Sequence, residues 1–138
     1  MVSIIMPVYN TPVKYLNSSV NSILYQSYKN FEFIIVDESD NNDVLTYFKK
    51  VEKEDRRIRY FHFEKGYGYI NCLNYGIKKS SGEYIARIDA DDIALQTRIQ
   101  EQVKFFKDNS NIGILGSSVT IIDENGIELF TRNYPNTD

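Results

Sequence analysis

The chain has 138 residues, 42% hydrophobic and 25% charged, which is long enough for one domain with a buried core and too short for two. Sixteen basic and nineteen acidic residues give a formal net charge of −3, and the absence of a basic stripe or an aromatic RNA-binding motif argues against a nucleic-acid partner. A single cysteine excludes an internal disulfide framework, and no signal-peptide pattern or apolar run near the roughly 20 residues that cross a bilayer is present.

These features together predict a cytoplasmic protein with no membrane segment in this chain, and peripheral association with the inner face of a membrane is the alternative. Cys72 lies in a predicted helix, and a small buried core residue is the expected role for it.

The first strand and helix are predicted within residues 2–26. Val2 to Val8 is nearly all apolar, as is typical of a strand buried on both faces of a parallel sheet. Thr11 and Pro12 then predict an N-cap and the first residue of a helix, which the apolar spacing extends to about Gln26.

Two more strand and helix pairs follow. Residues 31–36 are apolar except for Glu32 and stop at Asp37 and Glu38, and residues 44–51 have the apolar spacing of an amphipathic helix. Residues 58–63 predict a third strand. A third helix follows Gly68, and Gly82 is expected to end it.

The fourth strand, residues 84–88, stops at an acidic segment that contains Asp89, Ala90, Asp91 and Asp92. Apolar residues from Ile99 to Phe106 predict a fourth helix. A strand over residues 112–122 and a turn at residues 123–126 then predict a hairpin with residues 127–132.

This alternation predicts an α/β fold with a doubly wound, mainly parallel sheet, helices on both faces and a C-terminal β-hairpin. Parallel strands end at one edge of such a sheet, and ligands bind there near the switch in strand order. We therefore expect the two acidic strand ends, Asp37 with Glu38 and Asp89 with Asp91, to meet beside Tyr9.

The acidic segment indicates a metal and a nucleotide. Residues two apart in an extended chain point the same way, so Asp89 and Asp91 could present carboxylates to one hard divalent cation that also holds phosphate. Asp37 could accept hydrogen bonds from ribose hydroxyls or a base N–H. No phosphate-binding P-loop is present, Asn71 stands where a dinucleotide fingerprint requires glycine, and the acidic spacing does not match an EF-hand.

Several blocks in the sequence resemble the family-2 glycosyltransferases of GT-A fold. The matching blocks, in family order, are Pro7-Val8-Tyr9-Asn10, Gln26-Ser27-Tyr28 to Val36-Asp37, Leu73-Asn74-Tyr75-Gly76-Ile77, Gly82-Glu83-Tyr84-Ile85-Ala86 and Asp89-Ala90-Asp91-Asp92, the last of which resembles the DxD segment. The similarity runs along nearly the whole chain with its blocks in family order, which makes the resemblance specific.

The resemblance implies an inverting transferase that takes a sugar from a nucleotide-sugar donor, with UDP the expected nucleotide, and gives it to a saccharide or glycoconjugate acceptor. The residues it assigns to the nucleotide are Pro7, Tyr9, Asp37, Glu38, Asp89 and Ala90. Asp91, with Asp89, would hold Mn²⁺ or Mg²⁺. By the same resemblance, residues 1–138 form a single donor-binding domain, and the acceptor half and general base are expected beyond Asp138.

The sequence departs from the family pattern at Glu38, where a second aspartate is common, at Ser39-Asp40, where glycine and serine are usual, and at Gly66, where asparagine is common. The alternative function is a non-catalytic nucleotide-binding or interaction domain. His62 is expected to be structural, and Asp92 could cap the fourth helix. Arg98 could serve either a structural ion pair or the phosphates.

Overall fold

The structure of the chain is a computed structural model, which describes residues 1–134. The elements in chain order are β1 (Val2–Val8), α1 (Val13–Leu24), β2 (Phe31–Asp37), α2 (Asn42–Glu54), β3 (Ile58–His62), α3 (Tyr69–Lys79), β4 (Tyr84–Arg87), α4 (Arg98–Asp108), β5 (Val119–Ile122) and β6 (Glu128–Arg132). They fall into two compact units, Met1–Val103 and Lys104–Asp138. Within residues 1–134, every helix is too short or too polar to span a bilayer.

The first unit is built on a parallel sheet with the strand order β3-β2-β1-β4. Strand β1 is central, and all seven of its residues are buried, as its continuous apolar run predicts. The chain moves outward from β1 through β2 to β3, and then returns to place β4 on the other side of β1. The switch in strand order therefore lies between β1 and β4, and the carboxyl ends of these two strands flank it.

Helices cover both faces of this sheet, as the doubly wound prediction requires. On one face, residues of α1 and α2 such as Leu16 and Phe48 pack with Ile4 and Phe33 in the larger core cluster. On the other face, Cys72 of α3 packs with Ile34 and Val36, where burial raises the pKa of the thiol to about 11. The predicted core role of Cys72 is confirmed.

Two glycines allow backbone segments to approach β1 closely. A Cβ on Gly76 would lie 2.5 Å from Cγ2 of Ile5, so α3 packs on the sheet through this position. A Cβ on Gly82 would lie 2.6 Å from the backbone nitrogen of Ser3. Gly82 therefore allows the turn before β4 to pack closely against β1. The prediction that Gly82 ends α3 is wrong, because Ser80 is the C-cap of that helix.

The start and end of α1 also differ from the prediction. Pro12 occupies the N-cap position with an extended ψ of 136°, and its carbonyl accepts the N–H of Leu16, so Thr11 lies outside the helix and Pro12 is not its first residue. The helix ends at Leu24 and not at Gln26, whose buried side chain has a different role described below.

The described part of the second unit contains the predicted β-hairpin. Strands β5 and β6 are antiparallel, and the side chain of Asp123 accepts hydrogen bonds from the backbone N–H groups of Asn125 and Ile127 in the turn. Gly126 adopts a φ of 81°, which suits glycine. The predicted strand over residues 112–122 is too long, because only Val119–Ile122 has a strand partner.

Candidate functional site

The carboxyl ends of β1 and β2 lie side by side at one edge of the sheet. Val8 pairs with Asp37, and the backbone N–H of Glu38 donates to the carbonyl of Val8 over 3.0 Å. Pro7 is buried within β1 opposite Val36, whereas Tyr9, which follows the strand, is 51% exposed. Tyr9 is thus the aromatic side chain that β1 presents at this edge.

The loop that carries Tyr9 is fixed to the loop after β2 by reciprocal hydrogen bonds. Asn10 adopts a left-handed φ of 50°, and its backbone N–H donates to the Ser39 hydroxyl over 2.8 Å. The Asn10 amide donates to Asp40 over 2.8 Å, and the Asp40 N–H donates back to the Asn10 side chain over 3.2 Å. Lys65 adds an ion pair of 2.8 Å with Asp40. Ser39 and Asp40, where the sequence departs from the family pattern, therefore connect the loop after β2 to the loop after β1 and to the loop after β3.

Asp37 is fully buried, and its carboxylate accepts three hydrogen bonds from the protein. The Ser39 N–H donates to Oδ1 over 2.8 Å, the Tyr60 hydroxyl donates to Oδ2 over 2.7 Å, and Nδ1 of His62 lies 3.3 Å from Oδ2. Burial, followed by the hydrogen bond to Asp37, raises the pKa of Tyr60, so the phenol stays protonated as a donor. Of the two oxygens, Oδ1 keeps the greater capacity to accept a further bond.

Glu38 joins the end of β2 to the start of α3. Its side chain is buried, and Oε2 accepts the backbone N–H of Gly68 over 2.8 Å. Gly68 is the N-cap residue of α3 and has a φ of 90°, so Glu38 holds a glycine turn where the helix begins. Tyr69, the next residue, reaches from this helix start to Asp89.

The acidic segment after β4 is a turn and not an extended strand. Strand β4 ends at Arg87, Ala90 is buried, and the N–H of Asp92 donates to the carbonyl of Asp89 over 3.2 Å. The inference that Asp89 and Asp91 share a direction because of strand geometry is therefore wrong. A turn brings these residues to the β1–β4 switch point instead.

The two carboxylates of this turn have different surroundings. Asp89 accepts hydrogen bonds from the Tyr69 hydroxyl, over 3.4 Å, and from the Arg87 guanidinium. Asp91 is exposed, and within residues 1–134 no hydrogen bond or ion pair engages its side chain. Asp89 is thus held in place on both oxygens, while both oxygens of Asp91 are available to a ligand.

Helix α1, through Ser19 and Ser22, and Gln26, two residues after its end, support the segment that follows β4. The Ser19 hydroxyl donates to the Asp89 carbonyl over 3.3 Å, and the Ser22 hydroxyl accepts the Ala94 N–H over 3.0 Å. Gln26 is fully buried, donates to the Leu95 carbonyl over 2.7 Å and accepts the Ile99 N–H over 3.0 Å. The acidic turn is therefore anchored to a helix of the core.

Asp92 and Arg98 are part of the charge balance around the acidic turn. Partial desolvation, followed by the charges of Asp89 and Asp91, raises the pKa of Asp92. Asp92 does not cap α4, because that helix begins six residues later, at Arg98. The Arg98 guanidinium donates to the Arg87 carbonyl over 2.8 Å, and burial lowers the pKa of Arg98.

The side chains of this turn fit a divalent cation only if a bound ligand completes the coordination of the cation. Carboxylate oxygens are the ligands that Mg²⁺ and Mn²⁺ prefer, and Asp91 is free to provide them. Within residues 1–134, however, no group of three or more His, Cys, Asp or Glu side chains is arranged to hold a metal. The remaining ligands of a bound cation would have to come from water and from phosphate oxygens.

Several residues that shape this site were not predicted from the sequence to belong to it. Tyr60 and His62 lie on β3 and contact Asp37, while Tyr69 and Arg87 contact Asp89. Only the alternation of β3 contained a signal, because Tyr60 and His62, two apart, share one side of the strand and reach the same neighbour.

The fold and this edge define the class of the protein. The fold is the GT-A fold, because solved structures of that fold match it. A TarS fragment from S. aureus in complex with UDP-GlcNAc superposes with a TM-score of 0.71 at 19% identity, over 91% of this chain and 41% of that one. A Pyrobaculum calidifontis mannosyltransferase in complex with GDP-Man and Mn²⁺ gives 0.70 at 18% identity, over 89% of this chain and 35% of that one.

The family is given by the sequence comparison. The model of glycosyl transferase family 2 matches residues 3–136, and the chain belongs to this family. It is 41% identical over 127 residues to an uncharacterized glycosyltransferase of Methanocaldococcus jannaschii, covering 91% of this chain and 44% of the relative. It is 33% identical over 137 residues to the O-antigen biosynthesis glycosyltransferase WbnJ of Escherichia coli, covering 99% of this chain and 53% of the relative. The chain thus spans about half the length of these relatives, and the resemblance stated from the motifs is confirmed.

Proposed function

We propose that this chain binds the donor in a glycosyltransferase that moves a sugar from a nucleoside diphosphate, UDP being the expected one, to a saccharide or glycoconjugate acceptor with inversion. The observation that carries the proposal is the pair formed by Asp91 and Asp89. Asp91 is exposed and unpaired within residues 1–134, Asp89 is held on both oxygens, and both lie at the switch point of a family-2 glycosyltransferase sheet. The UDP-GlcNAc and GDP-Man complexes of neighbours with the same fold support a nucleotide-sugar donor.

The nucleoside end of the donor is proposed to lie at the ends of β1 and β2. Tyr9 offers an exposed ring on which a base can stack, and the hydrogen bonds of Asn10 hold the loop that carries it. Asp37 offers Oδ1 to a base N–H or a ribose hydroxyl. Because Asp37 is fully buried and Ser39 already donates to Oδ1, this contact requires the loop after β2 to move aside when the donor binds. Pro7, Glu38 and Ala90 are also buried, and we propose that they shape the nucleotide site around these contacts.

The diphosphate end is proposed to lie at the acidic turn. Asp91 would be the principal ligand of Mn²⁺ or Mg²⁺, with Asp89 adjoining it. Such a cation supplies Lewis-acid stabilisation to the negative charge that develops on the leaving nucleoside diphosphate. Ser19 and Ser22 of α1, with Gln26, anchor the turn, so the carboxylates are in place before the donor arrives.

Inversion requires a general base that deprotonates the acceptor hydroxyl. Because the chain spans about half the length of its relatives, the activity of the whole protein, the acceptor and this base are parts of the proposal. A cytoplasmic location, where nucleotide sugars are made, is proposed with it.

Calorimetric titration with UDP, GDP and dTDP, each with and without Mn²⁺, tests the proposal. We expect one diphosphate to bind more tightly with Mn²⁺ than without it. Asp91→Asn should remove that difference, whereas Asp108→Asn, an equal charge change at the end of α4, should preserve it. Failure of all three nucleotides to bind with Mn²⁺ would refute donor binding.

The alternative is a non-catalytic nucleotide-binding or interaction domain. A matched measurement with UDP-glucose and UDP-GlcNAc separates it from a transferase, because a donor site should discriminate between sugars attached to the same nucleotide. Equal affinity for UDP and for both UDP-sugars would favour the non-catalytic domain.

A further inference from the structure

Arg87 occupies the position that links β4 to the acidic turn. It is the last residue of the strand, and its guanidinium pairs with Oδ2 of Asp89. The same guanidinium lies 5.9 Å from the centre of the Tyr69 ring, whose hydroxyl donates to Oδ1 of Asp89. Arg87 and Tyr69 therefore hold Asp89 from two sides.

The backbone at this position is also fixed. The Arg98 side chain donates to the Arg87 carbonyl over 2.8 Å, which connects the end of β4 to the start of α4. The Arg87 side chain itself remains 53% exposed. A guanidinium carries five N–H donors in a rigid plane, and the pairing with Asp89 leaves others directed to solvent beside the turn.

The two carboxylates therefore differ in whether a positive charge lies beside them. The positive charge of Arg87 offsets Asp89, while Asp91 has no such partner among residues 1–134. A cation that approaches the turn is attracted by Asp91 and repelled by Arg87. A diphosphate that approaches the same turn is repelled by the carboxylates and attracted by Arg87.

We infer that Arg87 is a donor-binding residue that contacts a phosphate oxygen of the nucleoside diphosphate while it holds Asp89, so that Asp91 is left as the principal ligand of the metal. The inference rests on the proposed function and explains how the same site can accept both a cation and an anion. Arginine suits this position because its planar donors can serve a carboxylate and a phosphate together.

A surface ion pair with no role in binding is the simpler explanation for Arg87, and the two explanations predict different results for Arg87→Gln. If Arg87 contacts the diphosphate, the substitution should weaken the binding of metal-free UDP several-fold. Because it also removes a positive charge beside Asp91, it should strengthen the binding of Mn²⁺ alone several-fold. A purely structural loss would weaken the binding of both ligands, and an ion pair that does not contact the phosphate would leave the affinity for UDP unchanged.

The experiment titrates the chain with Mn²⁺ alone, followed by electron paramagnetic resonance, and with UDP in EDTA, followed by calorimetry. Arg56→Gln is the matched control, since Arg56 is exposed and precedes β3 at the opposite edge of the sheet. Arg87→Lys keeps the charge and loses the planar donors, so it should retain the Mn²⁺ affinity of the unsubstituted chain and recover only part of the UDP affinity. Thermal unfolding of each variant checks that the fold is retained.

Opposite changes in the two affinities for Arg87→Gln, absent in Arg56→Gln, would support the inference. Changes in the same direction, or an unchanged affinity for UDP, would overturn it and leave the proposed function standing. An unsubstituted chain that binds neither Mn²⁺ nor UDP, separately or together, would overturn both.

Discussion

The Tyr60 hydroxyl donates a hydrogen bond of 2.7 Å to Oδ2 of Asp37, and this contact joins the carboxyl ends of β2 and β3. Asp37 and His62 are register partners in the sheet, so Tyr60 reaches across from two residues earlier on β3. A buried carboxylate is costly unless donors satisfy it, and Tyr60 is the closest side-chain donor to Asp37.

Tyr60→Phe should destabilise the protein because it leaves the buried Asp37 carboxylate with one donor fewer. Hydrogen bonds to charged groups typically contribute about 2 kcal/mol, and we expect a loss of that size in the free energy of unfolding. Urea denaturation measures it. Tyr47→Phe is the matched control, since Tyr47 packs on the same Phe48 ring and its hydroxyl makes no hydrogen bond within the described chain. Equal losses for the two variants would show that the contact with Asp37 adds nothing.

Tyr9→Ala should weaken the binding of UDP by about tenfold, because stacking of a base on an aromatic ring contributes about 1–3 kcal/mol. Tyr9→Phe should bind UDP nearly as well as the unsubstituted chain, since it keeps the ring. Tyr25 is 70% exposed at the end of α1, and Tyr25→Ala controls for loss of a surface tyrosine. Calorimetric titration distinguishes the three variants, and a Tyr9→Ala chain with unchanged UDP affinity would place the base elsewhere.

Gln26→Ala should both destabilise the fold and disturb the acidic turn. It removes the partners of two buried backbone groups, the Leu95 carbonyl and the Ile99 N–H, and we expect a loss of about 2–3 kcal/mol. The affinity for UDP with Mn²⁺ should fall as well, although Gln26 is not itself a proposed ligand contact. Gln100→Ala, on the exposed side of α4, should change neither quantity. Gln26 would have no anchoring role if the two variants matched in denaturation and titration.

Glu32 should make the stability of the protein depend on pH in the acid range. Burial raises its pKa, but hydrogen bonds from Ser3, Ser81 and Arg59 outweigh this and lower the pKa from 4.5 to about 2. A carboxyl whose folded pKa is depressed stabilises the fold above its unfolded pKa, and that contribution is lost as the pH falls from about 4.5 through about 2.

We expect Glu32 to contribute about 3–4 kcal/mol at neutral pH, from about 1.4 kcal/mol for each unit of the difference between 4.5 and about 2. Glu32→Gln should remove it, so the difference in unfolding free energy between the two chains should be largest above pH 4.5 and shrink towards pH 2. Urea denaturation across this range measures the difference. Glu124→Gln, in the exposed hairpin turn, supplies the control, and a difference that stayed constant with pH would contradict the assigned cause.

Local sequence pattern was sufficient for the order and type of the elements. Continuous apolar runs such as Val2–Val8 can be buried only in the centre of a sheet, and the helical spacing of segments such as Asn42–Glu54 gives each helix one apolar face. The strand predicted at residues 112–122 was too long because an apolar run forms a strand only where a neighbour pairs with it, and residues 112–118 have no strand partner.

The edge of the sheet that holds the site followed from the sequence, because parallel strands that end in acidic residues must end together. The hydrogen-bond partners of each carboxylate could not be predicted from the sequence, because they come from side chains on other strands and helices. In the sequence alone Asp37 and Asp91 cannot be distinguished, because each is an aspartate that follows a predicted strand. The tertiary structure buries the first among Tyr60, His62 and Ser39 and leaves the second exposed, because β2 lies between two strands whereas the turn after β4 lies at the sheet's margin.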